Sequence, residues 1–301
     1  MKKIPAMPAL PSRVFGCYWP VWNGPALSAI PSGYNTIWLF AALPVGGPPG
    51  TTGAVYWSQN RESATQFNTD LAAIRAAGRC VILSVGGANS YIDLSTQTRS
   101  DAFTASIEKI HTQLGGFDGV DFDIEGGTLY PSQMVYISEK LKAAFGGNFM
   151  ITYPPAPWSS ADRNLCSTLY KAGVLDLVAP QYYDLEGLST ESSKISNEVS
   201  SIESTWLPLV NYNAAKVGLG YCLASVVSET MMFSSFATVW KTLVTRYPSL
   251  RGAFCWEATA DHAEGWSFET TFHPLIIGDT DTTRTKLLIF GIENLKKKKI
   301  S

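Results

Sequence analysis

Gly116-Phe117-Asp118-Gly119-Val120-Asp121-Phe122-Asp123-Ile124-Glu125 is the stretch whose reading decides the fold. Along an extended strand successive side chains point to opposite faces, so Asp121, Asp123 and Glu125 share one side while Val120, Phe122 and Ile124 share the other. Like charges in one file repel and gain nothing from a core, which makes an exposed surface strand a poor home for this pattern. With the apolar row packed on helices, the acidic row must face an interior that opens to solvent. A closed barrel of parallel strands has that geometry, with active sites at the C-terminal ends of its strands. The expected fold class is therefore α/β, a single TIM (β/α)8 barrel, with Glu125 at its rim and Asp123 and Asp121 progressively deeper.

Two chemistries suit such a row. One is a structural carboxylate cluster or a seat for a hard cation, because magnesium and calcium prefer carboxylate oxygens. The other is proton transfer: closely spaced carboxyls cannot all ionise cheaply, so at least one pKa rises and a proton stays available near neutral pH. Strict alternation between flanking glycines suits proton transfer better than a flexible oxygen cage, and no metal ligand set is assigned. His111, His262 and His273 are scattered along the chain, so neither a histidine metal site nor a Ser-His-Asp triad has support.

Asp118, Asp121, Asp123 and Glu125 form an Asp-x-x-Asp-x-Asp-x-Glu pattern, which resembles the signature of glycoside hydrolase family 18, the chitinases and their relatives. Upstream, Ser84-Val85-Gly86-Gly87 resembles the family's Ser-x-Gly-Gly motif, whose glycines let backbone pass close beside the acidic strand. Downstream, Gln181-Tyr182-Tyr183-Asp184 resembles the motif expected two strands later. Gln181 in its leading position is similar to the compact, hevamine-like branch. Trp256 matches the tryptophan that closes the barrel beneath the sugar to be cleaved, and Tyr18 ends the first strand, where the family often places an aromatic.

The resemblance implies a retaining glycosidase whose nucleophile is the substrate's own acetamido group, an exception to the two-carboxylate scheme. On it, Glu125 is the acid, Asp123 orients the acetamido N–H, Asp121 shares a proton beneath, and Tyr183 donates to the acetamido oxygen. Trp256, Gln181, Tyr18 and Asp184 become substrate-binding residues, and no cofactor is needed. The implied partner is chitin or N-acetylglucosamine oligosaccharides, cut internally. An endo-β-N-acetylglucosaminidase acting on N-glycans uses the same acidic strand, and a chitin-binding lectin of this fold usually lacks the terminal Glu that Glu125 supplies.

The chain has 301 residues, room for one barrel of about 250. Hydrophobic content of 46% against 16% charged residues indicates a globular core rather than disorder. A net charge of -2 offers no field for nucleic acid or an anionic membrane, and no run of ~18 apolar residues could span one. The five cysteines include no Cys-x-x-Cys pair. Cys17, Cys80, Cys222 and Cys255 fall in expected strands as small buried thiols, and a monomer is expected. Three prolines by Pro11 break any apolar helical stretch behind the two opening lysines, so no secretory signal is assigned. The location is left open, with extracellular action on chitin compatible.

Three regions are expected: a Pro-rich leader over 1–12, the catalytic barrel over 13–280 and a basic tail over 281–301. The tail holds six basic and two acidic residues, a charge of +4 that leaves -6 for the rest. Patterning predicts barrel strands over 14–19, 36–41, 80–87, 116–125, 149–153, 177–182, 216–220 and 252–256. Helices are predicted over 64–77, 103–114, 132–145 with Ser132 as N-cap, 164–172, 189–206 and 236–246. Trp57 and Trp158 are each weighed equally between sugar stacking and packing. Only about thirty residues separate the last two strands. That leaves no room for the insertion that deepens the cleft in other family members, so an open groove is expected.

Overall fold

The structure, a computed structural model, describes residues 7–59, 61–183 and 187–278. Its strands are β1 (Val14–Pro20), β2 (Thr36–Pro44), β3 (Val55–Tyr56), β4 (Cys80–Gly87), β5 (Gly119–Ile124), β6 (Met150–Tyr153), β7 (Leu177–Val178), β8 (Gly218–Cys222) and β9 (Gly252–Trp256). All but β3 run parallel, in the order β7-β6-β5-β4-β2-β1-β9-β8. Parallel bridges Val178–Val217 and Gln181–Gly220 join the two ends of that order, so the sheet curls into a nearly closed barrel.

Parallel neighbours need crossovers, and helices supply most of them: α1 (Ala64–Ala76), α2 (Gln97–Leu114), α3 (Pro131–Phe145), α4 (Ser160–Lys171), α5 (Glu191–Ser201), α6 (Leu207–Leu209) and α7 (Phe233–Arg246), with α8 (Ala258–Ala263) and α9 (Ser267–His273) after the last strand. A π-helical turn, Ile202–Trp206, sits between α5 and α6. Among the described residues no helix is long and apolar enough to cross a membrane.

The strand alternation divides the core into two layers. Val120, Phe122 and Ile124 pack outward against helical residues such as Phe103, Ile107, Met134 and Ile137, with the Phe103 and Phe122 rings 6.0 Å apart. Tyr18, Trp38, Phe40, Ile82, Met150 and Phe254 fill the barrel interior. Residues 7–12, read from sequence as leader, cover the N-terminal end of the barrel: Leu10 packs on the interior cluster. The Cys80 thiol donates to the Ala9 carbonyl, and Arg251 donates to that of Pro11 at 2.8 Å. Cys17, Cys80, Cys166, Cys222 and Cys255 are buried free thiols. The tail over 281–301 lies outside the described residues.

Element boundaries differ from expectation for local reasons. Helix α2 begins six residues before 103, at Gln97, because the Thr96 side chain accepts from Arg99 N–H and caps it. Helix α4 likewise starts at Ser160 behind the Ser159 cap. Ser132 does not cap α3: Pro131 takes the first turn after Tyr130, where its missing N–H costs nothing. The strand expected over 177–182 shrinks to β7 and single bridges, since Pro180 has no N–H to give a ladder. The missed β3 pairs antiparallel with the extended end of β2.

Candidate active site

Strand β5 stands between β4 and β6 in a register that sets Ser84 beside Asp121, Gly86 beside Asp123 and Thr152 beside Asp121. The first acid of the pattern belongs to the frame. Asp118 precedes β5, is fully buried, and pairs with Arg75 of α1 at 2.7 Å while accepting the Val81 backbone N–H at 2.9 Å. It ties helix α1 and strand β4 to the base of β5.

Asp121 is 1% exposed and accepts from three hydroxyls. Thr152 Oγ1 donates to Oδ1 at 2.5 Å, and Ser84 Oγ and Tyr18 OH donate to Oδ2 at 2.8 and 3.0 Å. Trp38 Nε1 donates to Thr152 Oγ1 at 3.1 Å, which directs the threonine proton at the carboxylate. Burial pushes the Asp121 pKa up to about 6, and the three hydrogen bonds pull against it.

Asp123 lies one step nearer the rim and is 5% exposed. Its pKa is raised well above the ordinary carboxyl range by burial first, then by the charges of Glu125 and Asp121 and by a hydrogen bond to Glu125. Gln181 Nε2 reaches both acids, 3.1 Å from Asp123 Oδ1 and 3.3 Å from Glu125 Oε1, and is anchored by the Pro154 carbonyl at 2.7 Å. The amide thus turns the two carboxyls towards each other. Burial, then the Asp123 charge, raises the Tyr183 hydroxyl pKa, so it remains a protonated donor.

Close backbone approach is needed beside this pair. Gly86 has φ +107°, and a Cβ there would lie 2.3 Å from the Asp123 carbonyl oxygen; at Gly87, with φ +95°, it would strike the Phe40 ring at 2.4 Å. Those two glycines let β4 lie against the acidic strand and leave Phe40 its place. Phe40 meets Trp256 edge to face, ring centroids 4.6 Å apart.

These side chains open into a cleft of about 240 Å³ lined by Asp123, Glu125, Gln181, Tyr183, Trp158 and Trp256, with Phe40 and Val227 at its sides. Five of the eight expected site residues therefore share one cavity. Asp121 lies beneath it. Tyr18, expected to bind substrate, is also below: its hydroxyl is held by Asp121 and its ring stacks on Trp38 at 5.2 Å. Asp184 lies outside the described residues. Trp158, 61% exposed, faces the cleft, whereas Trp57 is buried against Trp19 and Phe67.

Sequence reasoning missed Thr152, Phe40 and Trp22. Thr152 was accessible through register, as a polar residue opposite Asp121 on the next strand. Trp22 follows the exit of β1, is 52% exposed, and approaches Trp256 at 6.4 Å; an aromatic just past a strand end was its signal. Among the described residues no group of three or more His, Cys, Asp or Glu side chains is arranged to hold a metal ion. The geometry can deliver a proton from a carboxyl pair and stabilise positive charge beside it, above an indole face.

Comparison with known proteins bears on what this arrangement belongs to. The chain is 27% identical to an "Endochitinase 4" of Metarhizium robertsii over 85% of this chain and 86% of that protein. Its fold superposes on a family GH18 chitinase from Chromobacterium violaceum with a TM-score of 0.73, at 22% identity, over 89% of this chain and 84% of that one. A fungal endo-β-N-acetylglucosaminidase of glycosyl hydrolase family 18 shares the fold at a TM-score of 0.63 and 19% identity, over 88% and 98% of the two chains. The model of "Glycosyl hydrolases family 18" matches residues 14–271, and with that span covering the whole barrel the chain belongs to glycosyl hydrolase family 18.

Proposed function

We propose that the protein is an endo-acting chitinase that hydrolyses β-1,4-linked N-acetylglucosamine by substrate-assisted retention. The observation that carries this reading is the Asp123–Glu125 pair, hydrogen-bonded together, oriented by Gln181 and standing over Trp256 beside Tyr183. The similarity over most of its length to a protein named as an endochitinase supports it further.

In this mechanism the sugar to be cleaved lies on Trp256, whose ring face covers apolar C–H surface and leaves the hydroxyls free. Glu125 protonates the glycosidic oxygen while the acetamido carbonyl oxygen attacks C1, giving an oxazolinium-type intermediate. Asp123 receives the acetamido N–H and balances the positive charge that develops there, with Asp121 beneath it as a second, hydroxyl-bound carboxylate. Tyr183 donates to the acetamido group and holds its oxygen in line with C1. Deprotonated Glu125 then activates water, which opens the intermediate from the same face and retains the β configuration.

Fully acetylated chitin hexamer and a high-mannose glycopeptide, incubated separately and read by mass, test the substrate class. Chitin fragments without glycopeptide cleavage are expected, and the reverse pattern overturns the reading in favour of the N-glycan hydrolase. Glu125→Gln is expected to keep the fold and sugar binding and to lose at least about 10²- to 10⁴-fold in turnover, the range of general acid catalysis. Wild-type rates from the folded variant would remove Glu125 from the chemistry.

A further inference from the structure

Trp158 is the largest side chain in the cleft for which the proposed mechanism has no task. It lines the same cavity of about 240 Å³ as Asp123, Glu125 and Trp256, yet it is 61% exposed and belongs to neither hydrophobic cluster of the described residues. An indole left facing water forgoes the stabilisation that burying its apolar surface would bring.

The segment that carries it is held in place from two sides. Pro154-Pro155-Ala156-Pro157-Trp158 leaves β6 with three prolines, whose fixed φ leaves few conformations to lose. At its start, the Pro154 carbonyl accepts Gln181 Nε2 at 2.7 Å and the Pro155 carbonyl accepts the Gln181 backbone N–H at 3.0 Å. At its end, the Ser159 N–H donates to the Ala156 carbonyl at 3.2 Å, and the Ser159 side chain caps α4. Arg163 of α4 reaches back over that turn, donating through Nη2 to the Trp158 carbonyl at 2.7 Å and through Nε to the Ser159 carbonyl at 3.3 Å. Gln181 is also the amide that meets Asp123 and Glu125. One side chain therefore sets the register between the carboxyl pair and the segment bearing the exposed indole.

Each ring of a β-1,4-linked chain has an apolar C–H face that an indole can cover. Trp256 covers one such face in the proposed mechanism, and the polymer continues beyond it. Because the Trp158 segment is fixed before any sugar arrives, stacking there costs little ordering. Resting on the chitinase reading above, we infer that Trp158 is a specificity residue that stacks on a sugar neighbouring the one held over Trp256, and that Arg163 is the residue that positions it. Such a contact is made equally in the bound substrate and in the transition state, so it acts on affinity for the chain rather than on the chemical step.

The test is steady-state hydrolysis of fully acetylated chitin hexamer by the full chain and its variants, with thermal unfolding run alongside. Trp158→Ala should lower kcat/KM about three- to tenfold, chiefly through KM, the range of one aromatic stack. Trp158→Phe should recover most of that loss. Arg163→Met keeps much of the side-chain stem and removes both carbonyl bonds, so it should raise KM about two- to threefold. It should add nothing further on top of Trp158→Ala, since its effect passes through that indole. An unchanged KM in Trp158→Ala, or a loss that Trp158→Phe does not recover, overturns the inference and leaves the chitinase reading standing. An Arg163→Met effect that persists in the Trp158→Ala background removes Arg163 from it, and no hydrolysis of the hexamer by the unaltered chain overturns both readings.

Discussion

At the scale of single residues, the acids of β5 form a row of carboxyls that differ in how they are buried and bonded. Burial raises both Asp121 and Asp123, but only Asp121 has three hydroxyls that oppose the shift. The Asp121 charge is one of the causes, after burial and the charge of Glu125, that hold a proton on Asp123. Protonating Asp121 at about pH 6 therefore weakens that hold. Thr152→Val removes the 2.5 Å hydrogen bond that favours the ionised form, so the Asp121 midpoint should rise. The acid limb of kcat should move to higher pH with it while the alkaline limb stays. Carboxyl-carbon NMR of Asp121 beside the kcat profile checks this, and superposable acid limbs would detach Asp121 from turnover.

At the scale of elements, Asp118 and Glu198 are buried acids with opposite consequences. Asp118 is paired and joins three elements, so Asp118→Ala leaves the Arg75 guanidinium buried without its partner. Breaking such a pair costs about 3–5 kcal/mol. Denaturant unfolding should register that loss, with turnover per folded molecule retained at low temperature; an unfolding midpoint near wild type would rule out the clasp. Glu198 on α5 is 1% exposed, and neither carboxyl oxygen has a hydrogen-bond partner among the described residues. Burial raises its pKa well above the ordinary range of a glutamate carboxyl. A folded-state pKa above the unfolded one means that the folded state binds its proton more tightly, so stability is full at low pH and is lost as pH rises from the unfolded value to the folded one. Glu198→Gln should accordingly raise Tm little at pH 4 and increasingly towards pH 8. A gain that does not change with pH would show that the wild-type carboxyl is not the cause.

At the scale of the whole molecule, the connection from β8 to β9 bears on how the proposed polymer would enter. It holds one helix, α7, and its flanking loops, with no added domain, and gives the cleft only Val227 as a wall on that side. Trp22 and Trp158 are exposed aromatics, one after β1 and one after β6. On the proposed chitinase reading, a long chain lies across the mouth of the barrel and is cut within its length. On soluble chitosan, viscosity is expected to fall early, well ahead of the release of reducing ends. Early dimer as nearly the sole product, with viscosity falling slowly, would instead identify an end-acting enzyme.

What the sequence determined by itself was whatever has a short period or a fixed spacing. The two-residue alternation on β5 separates acids from apolar residues in any extended conformation, and the outward Val120, Phe122 and Ile124 then require a helical layer. The Ser84–Gly87 stretch was legible because close backbone contact excludes a Cβ whatever the neighbouring side chains are. The remainder depended on which atoms meet across the barrel. Trp57 and Trp158 carry the same side chain, yet only the packing of Phe67 and Trp19 buries the first and leaves the second in the cleft. Tyr18 ended below the site rather than in it because Asp121 takes its hydroxyl. How deeply each carboxyl is buried, and that Asp121 alone receives three hydroxyls, follow from neighbours contributed by β1, β4 and β6. Those are long-range contacts, and no local pattern encodes them.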